Sequence, residues 1–245
     1  MTDVTSNRAG SKASWRDATP WVDSQHPAVK QIATRLVADM DTREAAARAC
    51  YRYVRDAIPF GFPADRLHHR ASDVLTAGYG DGLSKSTLLT ALWRAAGFPA
   101  RQWIVHIPGE FLAGFVYPGR FLVHAVTELR VGQSWCRTDT YLLDTPLAER
   151  AREAMTRGGS ELGWAMDPHL DAPWEGAGDS LSRVARTNPH QGPWEDLGTW
   201  LARDPGQLHD HPLHGASWRD VRADAQMRVE LLRRRRSLPL RGPHT

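Results

Sequence analysis

The chain has 245 residues, of which 41% are hydrophobic and 24% are charged, a composition typical of a protein that buries a core rather than staying disordered. It contains no run of about 18 apolar residues and no signal-peptide core, so we expect no membrane segment and a cytoplasmic location. Its two cysteines, Cys50 and Cys136, are too few for a disulfide framework or a thiol-rich zinc site.

The net charge of +3 is concentrated at the C-terminal end of the chain. Residues 217–245 carry eight arginines against three acidic residues, whereas the rest of the chain has a net charge of −2. The run from Arg233 to Arg236 ends a helix-like segment, where cations favour the negative end of the helix dipole. This placement does not favour nucleic-acid binding, and it leaves contact with a protein partner through the Arg-rich C-terminus as an alternative.

The patterning divides the chain into an N-terminal arm (1–26), a core (27–158) and a C-terminal extension packed on the core (159–245). Two helices are predicted at the start of the core. Asp41 is expected to cap the second of them, with Glu44 as its capping-box partner. Cys50 lies on an apolar stripe of this helix, which favours packing over chemistry.

A loop and a glycine-rich turn come next. The loop is broken by prolines and glycine and contains Phe60 and the adjacent pair His68 and His69, which lack the helical spacing that puts two imidazoles on one metal. After the glycine-rich turn, an amphipathic helix begins near Gly82 and is closed by Gly97. We expect this helix to be central and buried.

The pattern then switches to strands, which are predicted over 100–107, 121–131 and 134–143. The last two form a hairpin, and a further helix is predicted over 145–158. The region 159–216 has no clear periodicity but four tryptophans, so we interpret it as an ordered, irregular cover. His209, His211 and His214 lie there in a Pro-containing loop without a cysteine, and the sequence predicts neither a metal nor a cofactor.

Four motifs in this order are typical of one superfamily: YRYVRDAIPFGF, ASDVLTAGYGDGLSKSTLLTALWRAAGFPAR, FLVHAVTEL and WCRTD. From about Ala45 to Asp144 the chain resembles bacterial-type members of the transglutaminase-like superfamily, a papain-related group of cysteine acyltransferases and proteases. The resemblance implies an α+β, papain-like core with a buried helix packed on an antiparallel sheet. It also implies a Cys-His-Asp triad, in which histidine takes the thiol proton and the carboxylate orients the ring.

Carried over position by position, the resemblance makes His124 the histidine and Asp139 the carboxylate. The family cysteine precedes the Lys-Ser pair by three residues, and here Gly82 stands in its place. A glycine has no side chain with which to form an acyl-enzyme. Cys136 does not replace it, because strand alternation directs its side chain away from the face of Asp139.

Two serines of the buried helix are the remaining candidates for a displaced nucleophile. Ser84 lies about 200° around the helix axis from Gly82, so it faces elsewhere. Ser86 shares the face of Gly82 but lies about 5.4 Å deeper. Acyl transfer through either serine is kept as a second alternative function.

Substrate binding is expected around the start of the buried helix. The backbone N–H groups of Asp81, Gly82 and Leu83 are expected to face the cleft and to bind an anion or a developing oxyanion. Lys85 is interpreted as structural, with substrate contact as the alternative.

Three further residues complete the expected binding site. Glu128 shares the strand face of His124, and its alternative is a solvent-facing position. Phe60 and Trp135 are expected to supply aromatic walls to the cleft.

The sequence therefore predicts an enzyme without a catalytic thiol. His124 would act as the general acid-base group and Asp139 would orient it, in hydrolysis, isomerisation, cyclisation or condensation of a small acyl or amide substrate. The first alternative is a catalytically inactive protein that binds a ligand or a partner.

Overall fold

The computed structural model describes residues 15–64, 70–116, 119, 121–167, 172–203 and 215–234. The expectations for His68 and His69, for the three C-terminal histidines, and for the arginines at 235 and 236 lie outside these ranges. Within them, no group of three or more His, Cys, Asp and Glu side chains is placed to hold a metal ion.

The described residues form eight α-helices and four strands. The helices are α1 (Pro27–Val37), α2 (Arg43–Arg52), α3 (Ala71–Ala77), α4 (Gly82–Ala95), α5 (Thr145–Gly158), α6 (Arg183–Thr187), α7 (Leu197–Arg203) and α8 (Gly215–Arg233). The strands are β1 (Ala100–Pro108), β2 (Phe121–Val131), β3 (Ser134–Thr138) and β4 (His190–Trp194). In this part of the chain, no helix combines the length and the apolar character that a bilayer crossing requires.

The four strands form one antiparallel sheet in the order β3-β2-β1-β4. β1 pairs with β2 over its whole length, from Ala100 opposite Leu129 to Pro108 opposite Phe121. Helix α4 packs on this sheet, and its residues are buried from Gly82 to Arg94. The predicted α+β class, with a buried central helix on an antiparallel sheet, is confirmed.

The N-terminal helices cover the other side of α4. Leu88, Leu92 and Trp93 of α4 share one apolar cluster with Val54 and Cys50. Burial raises the pKa of the Cys50 thiol to about 12, although a backbone hydrogen bond lowers it slightly. Cys50 is therefore a packing residue, as its helical stripe predicts.

The start of the second helix differs from the prediction by one residue. Thr42, not Asp41, is the N-cap of α2, and its hydroxyl accepts the N–H of Ala45 at 3.1 Å. Both residue types cap helices well, so the sequence alone does not decide between them. At its other end, α2 passes into a π-helical turn, Tyr53–Ala57, which the sequence pattern does not indicate.

The third strand is shorter than the sequence predicts, because β3 ends at Thr138. The chain then leaves the β2 ladder, and the N–H of Asp139 donates to the carbonyl of Ser180. Within β3, Cys136 lies opposite Leu129 and is buried in the cluster between α4 and the sheet. Asp139 thus lies at a strand end rather than inside a strand.

The C-terminal extension is more regular than the irregular cover we expect from its sequence. Strand β4 extends the sheet beside β1, although Gly192 and Pro193 are untypical of strand interiors and Pro is tolerated mainly at sheet edges. Helix α8 places Trp218 and Val229 in the same apolar cluster as Phe60. The described part of the extension therefore completes the sheet and the core.

The described end of the N-terminal arm lies against the core. The carbonyl of Trp15 accepts the N–H of Ala100 at the start of β1 at 2.8 Å. Val22 is fully buried. The arm therefore contributes to the packing around β1 and α4.

Candidate functional site

The structure brings His124 and Asp139 into direct contact at one end of the sheet. His124 extends from β2, Asp139 follows β3, and the distance from His124 Nε2 to Asp139 Oδ2 is 2.9 Å. Each residue is only 2% exposed. The Phe111 ring packs edge-on against the imidazole, with 5.9 Å between ring centroids. Because Asp139 occupies the Nε2 side, Nδ1 is directed away from the carboxylate.

Asp139 is fixed by Ser182, a residue that the sequence analysis misses. The Ser182 N–H donates to Oδ1 of Asp139 at 2.7 Å, and the Ser182 hydroxyl donates to Oδ2 at 2.5 Å. Ser182 is also the N-cap of α6. A serine before a helical segment is a recognisable cap signal, but nothing in the sequence links it to a carboxylate 43 residues away. The C-terminal extension therefore contributes to the site.

Gly82 lies directly in front of the imidazole. A Cβ added to this glycine would lie 3.4 Å from His124 Nδ1 and 3.3 Å from Leu142 Cδ1. Such distances are tight but require shifts of only a few tenths of an ångström. The first residue of α4 therefore faces the ring nitrogen that Asp139 leaves available.

The space between Gly82 and His124 is a small, closed cleft. Its volume is about 10 Å³, which is room for about one water molecule. Its lining residues are Phe60, Phe62, Asp81, Gly82, Leu83, Phe111, Leu112, Leu122, Val123, His124 and Leu142. The structure thus brings Phe60, Asp81, Gly82 and Leu83 together with His124 in a largely apolar pocket.

The start of α4 is closed by a capping box. Asp81 Oδ1 accepts the N–H of Ser84 at 3.1 Å, and the Ser84 hydroxyl accepts the N–H of Asp81 at 2.9 Å. The buried Asp81 carboxylate at this helix start opposes the binding of an anion there, which weighs against the expected oxyanion site. It also holds Ser84 in the cap.

Ser86 is likewise committed to structure. Its hydroxyl lies 2.9 Å from the Thr127 hydroxyl and accepts a hydrogen bond from Gln102 Nε2 at 2.8 Å, between α4 and the sheet. Neither Ser84 nor Ser86 lines the cleft that contains His124 Nδ1. The geometry therefore does not support acyl transfer through a displaced serine.

Lys85 is fully buried and lies outside the cleft lining. Its ammonium donates to the carbonyls of Arg55 at 3.1 Å and Leu142 at 2.9 Å. Burial lowers the pKa of Lys85 to about 7, although the charges of Asp144 and Asp56 partly oppose the shift. These contacts fit the structural interpretation, since Lys85 holds the backbone behind the cleft wall at Leu142.

Lys85 is expected to make stability depend on pH. Its ordinary pKa is 10.5 and its folded pKa is about 7, so between these values the unfolded chain binds more protons. The free energy of unfolding should therefore rise with pH across that window, by at most about 1.4 kcal/mol per pH unit. Urea unfolding near pH 7 and pH 9 measures this rise. The Lys85→Met variant should lose this rise in the free energy of unfolding, whereas Lys30→Met, at an exposed position, should keep it. A rise in Lys85→Met equal to that of the wild type would contradict the assignment of the pH dependence to Lys85.

Glu128 and Trp135 lie away from the cleft, so the structure does not bring them to the site at which the sequence places them. Glu128 is 3% exposed, and its carboxylate pairs with the Nε atoms of Arg101 and Arg137. The Arg101 guanidinium stacks on Trp135, with its Cζ atom 3.8 Å from the ring centroid. Glu128 does share the strand face of His124, but four strand residues separate the two by about 13 Å. Its solvent-facing alternative is wrong.

Asp144 connects the cleft to the C-terminal helix. Arg233 of α8 donates to both oxygens of this buried carboxylate, at 2.7 and 2.6 Å. The Phe60 N–H donates to Oδ2 at 2.9 Å, and Asp144 also caps α5. Burial raises the pKa of Asp144, but the hydrogen bonds from Arg233 and Phe60 and the charges of Arg233 and Lys85 outweigh it, so the net shift is downward.

Arg233 thus points into the molecule rather than towards a partner. Arg222 of the same helix donates to the Phe62 carbonyl at 2.8 Å, and Arg228 donates to the Gly114 carbonyl. Part of the basic charge at the C-terminal end is therefore used to fix α8 beside the aromatic loop and cleft. Arg234 is exposed.

Parts of the chain are similar to a protein family and to solved structures. Residues 30–140 match the family model described as the transglutaminase-like superfamily. Among solved structures, a candidate cysteine protease from Cytophaga hutchinsonii is 17% identical with a TM-score of 0.44, over 53% of this chain and 42% of that one. A candidate protease from Parabacteroides distasonis is 16% identical with a TM-score of 0.36, over 55% of this chain and 25% of that one.

The chain spans less than half of either solved structure, and no curated protein is significantly similar to it. The matched range contains Gly82, His124 and Asp139, together with α4 and strands β1 to β3. Residues 30–140, which are less than half of the chain, are similar to the transglutaminase-like superfamily.

Proposed function

We propose that this chain is a transglutaminase-like hydrolase that works without a thiol, with His124 as general base and Asp139 as the group that orients it. The observation that carries the proposal is that His124 Nδ1 faces Gly82 across a cleft with room for about one water molecule. The family cysteine would stand at Gly82. A water molecule would take the space of the missing thiol and serve as the nucleophile.

The tautomer of His124 follows from its partner. Asp139 is an acceptor, so Nε2 carries the hydrogen and Nδ1 has the free lone pair. Nδ1 takes a proton from water while the water oxygen bonds to the acyl carbon, which gives a tetrahedral intermediate. His124 then returns the proton to the leaving amine or alcohol as its bond to carbon breaks, and a carboxylic acid is released.

Isomerisation, cyclisation and condensation would use the same proton transfer with another nucleophile. Hydrolysis is favoured because the cleft is large enough for water and because, among the described residues that line it, the only acid-base side chain besides His124 is the capping carboxylate of Asp81. Because His124 is 2% exposed, substrate entry requires the aromatic wall at Phe60 and Phe111 to open. The cleft in its closed state is thus the resting form of the site.

A second candidate function is a catalytically inactive binding protein. The small size of the cleft and the burial of His124 favour it. On this alternative the His124–Asp139–Ser182 chain serves to fasten the C-terminal extension to the sheet.

Hydrolysis of a panel of p-nitrophenyl esters and small amides separates the two functions. His124→Gln should lose at least about 100-fold in kcat/KM, the usual contribution of a general base. His106→Gln, on the neighbouring strand and exposed, should retain the wild-type rate. The intact mass should show no acyl adduct. An unchanged rate in folded His124→Gln would rule out the general base, and no turnover of any panel member by the wild type would favour the inactive alternative.

A further inference from the structure

We propose that a second cavity, on the other side of Asp139 from the cleft, binds a carboxylate group through Arg55. The assignment of that carboxylate to the substrate rests on the proposed hydrolase function, whereas the binding of a carboxylate does not. Three observations support the proposal: the Nε atom of Arg55 is buried without a hydrogen-bond partner, Arg55 lines a small cavity, and this cavity lies next to the His124–Asp139 pair.

Arg55 is held in place by its backbone but not by its side chain. It lies in the π-helical turn Tyr53–Ala57, and the Lys85 ammonium donates to its carbonyl at 3.1 Å. Among the described residues, its guanidinium has no hydrogen-bond or ion-pair partner, and its Nε atom is buried. An unpaired N–H in a buried place is costly, so it calls for a partner.

The neighbouring arginines of the same helical segment are different. Arg48 and Arg52 both reach the carboxylate of Glu175 on the surface, at 3.3 and 3.2 Å. Arg55 follows Arg52 by one helical turn, and the π-helical turn changes the direction in which its side chain leaves the backbone. This local change of winding separates Arg55 from the surface ion pairs and places it at the cavity.

The cavity has one polar side and an otherwise apolar wall. Its volume is about 20 Å³, which is room for one or two water molecules. Its lining residues are Arg55, Phe111, Asp139, Thr140, Leu142, Leu143, Ala148, Ala165, Met166 and Ser182. A planar carboxylate suits this space and the fork of a guanidinium better than a tetrahedral phosphate does.

The charges around the cavity leave Arg55 as the group that a ligand would satisfy. Asp139 faces the same space, and its oxygens accept hydrogen bonds from His124 and from the N–H and hydroxyl of Ser182. These donors are neutral, so Asp139 keeps its negative charge and opposes a second carboxylate. Asp144 is paired with Arg233. An incoming carboxylate would therefore meet the Arg55 cation, which has to outweigh the charge of Asp139 among the described residues that line the cavity.

Phe111 and Leu142 line both the Arg55 cavity and the cleft at His124. Movement of Phe111 would join them. A substrate could then place its carboxylate at Arg55 and its acyl carbon at His124. This geometry points to a substrate that carries a free carboxylate beside the bond to be hydrolysed, such as a monoamide or monoester of a short dicarboxylic acid.

Binding of butyrate and of its neutral analogue butyramide, measured by ligand-observed NMR titration, tests the proposal without turnover. Butyrate should bind the wild type at least about tenfold more tightly than butyramide, because only the carboxylate makes charge-assisted hydrogen bonds. Arg55→Gln should lose about the same factor for butyrate. Arg52→Gln removes the same charge one turn earlier and should bind butyrate as the wild type does.

Arg55→Lys keeps the charge and loses the fork, so it should show an intermediate loss and serves if Arg55→Gln does not fold. Equal binding of butyrate to the wild type and the Arg55 variants would overturn the subsite, as would equal binding of butyrate and butyramide. If His124→Gln binds butyrate normally and the wild type hydrolyses nothing, the hydrolase proposal fails while the subsite stands. If the wild type hydrolyses the panel but the Arg55 variants bind butyrate as tightly as the wild type does, only the subsite proposal fails.

Discussion

Replacing Gly82 by cysteine is expected to create a thiol that is ionised at neutral pH. The new Cβ would lie 3.4 Å from His124 Nδ1, so the thiol and the imidazole can form a thiolate–imidazolium pair. Such pairing lowers the pKa of a cysteine from about 8.5 by two units or more. The Asp81 carboxylate opposes this shift, and the nearby imidazolium should outweigh it. The ultraviolet absorbance of the thiolate, followed as a function of pH, measures the pKa and does not need a reagent to enter the closed cleft.

The two native thiols do not contribute thiolate absorbance to this titration at neutral pH. Burial raises the pKa of Cys50 to about 12 and also raises that of Cys136, so both remain protonated at neutral pH. Gly82→Cys combined with His124→Gln is the control, and its new thiol should titrate at or above the ordinary value. If Gly82→Cys alone also titrates there, Gly82 does not occupy the place of the family nucleophile.

The part of the site that the sequence predicts is the part made by short-range structure. His124 and Asp139 are separated by one hairpin, and the register of β2 with β3 brings Thr127 opposite Thr138, next to Asp139. Gly82 can be identified from the sequence because it begins helix α4 and the residues on both sides of it belong to one family motif. Motif order and strand pairing together therefore suffice to bring these three residues to one place.

The rest of the site depends on contacts between distant parts of the chain. Ser182 meets Asp139 across 43 residues and Arg233 meets Asp144 across 89, and a single sequence contains no local signal for either pairing. Glu128 illustrates a different limit. Alternation along β2 correctly predicts the face of the sheet on which Glu128 lies. It does not predict that arginines on the two neighbouring strands pair with the Glu128 carboxylate, away from the cleft.

The β4 strand shows how tertiary context overrides local preference. Its sequence, HQGPW, contains residues that weaken strands, yet it pairs with β1 at the edge of the sheet. The edge position tolerates a proline because its outer side needs no N–H donor. For this reason, the irregular composition of the C-terminal extension indicates its loops but conceals its contribution to the sheet.

Asp144→Asn is expected to destabilise the fold strongly, because one buried carboxylate serves three parts of the chain. It pairs with Arg233 of α8, accepts the N–H of Phe60 and caps α5. Removing one partner of a buried ion pair costs about 3–5 kcal/mol, and the partial exposure of Arg233 places the expected loss near the lower end. Asp73→Asn, at an exposed position with a single capping hydrogen bond, is the matched control and should cost no more than about 1 kcal/mol.

The dependence on pH and on Arg233 identifies the cause of that loss. The pKa of Asp144 is lower in the folded protein than in the unfolded chain, so its contribution is present above the unfolded value and is lost as the pH falls through the folded one. Urea unfolding should therefore show a smaller difference between Asp144→Asn and the wild type in acid than at neutral pH. In a double-mutant cycle, Arg233→Met should cost less in the Asp144→Asn background than alone. Additive losses would mean that the ion pair does not fasten α8 to the cleft.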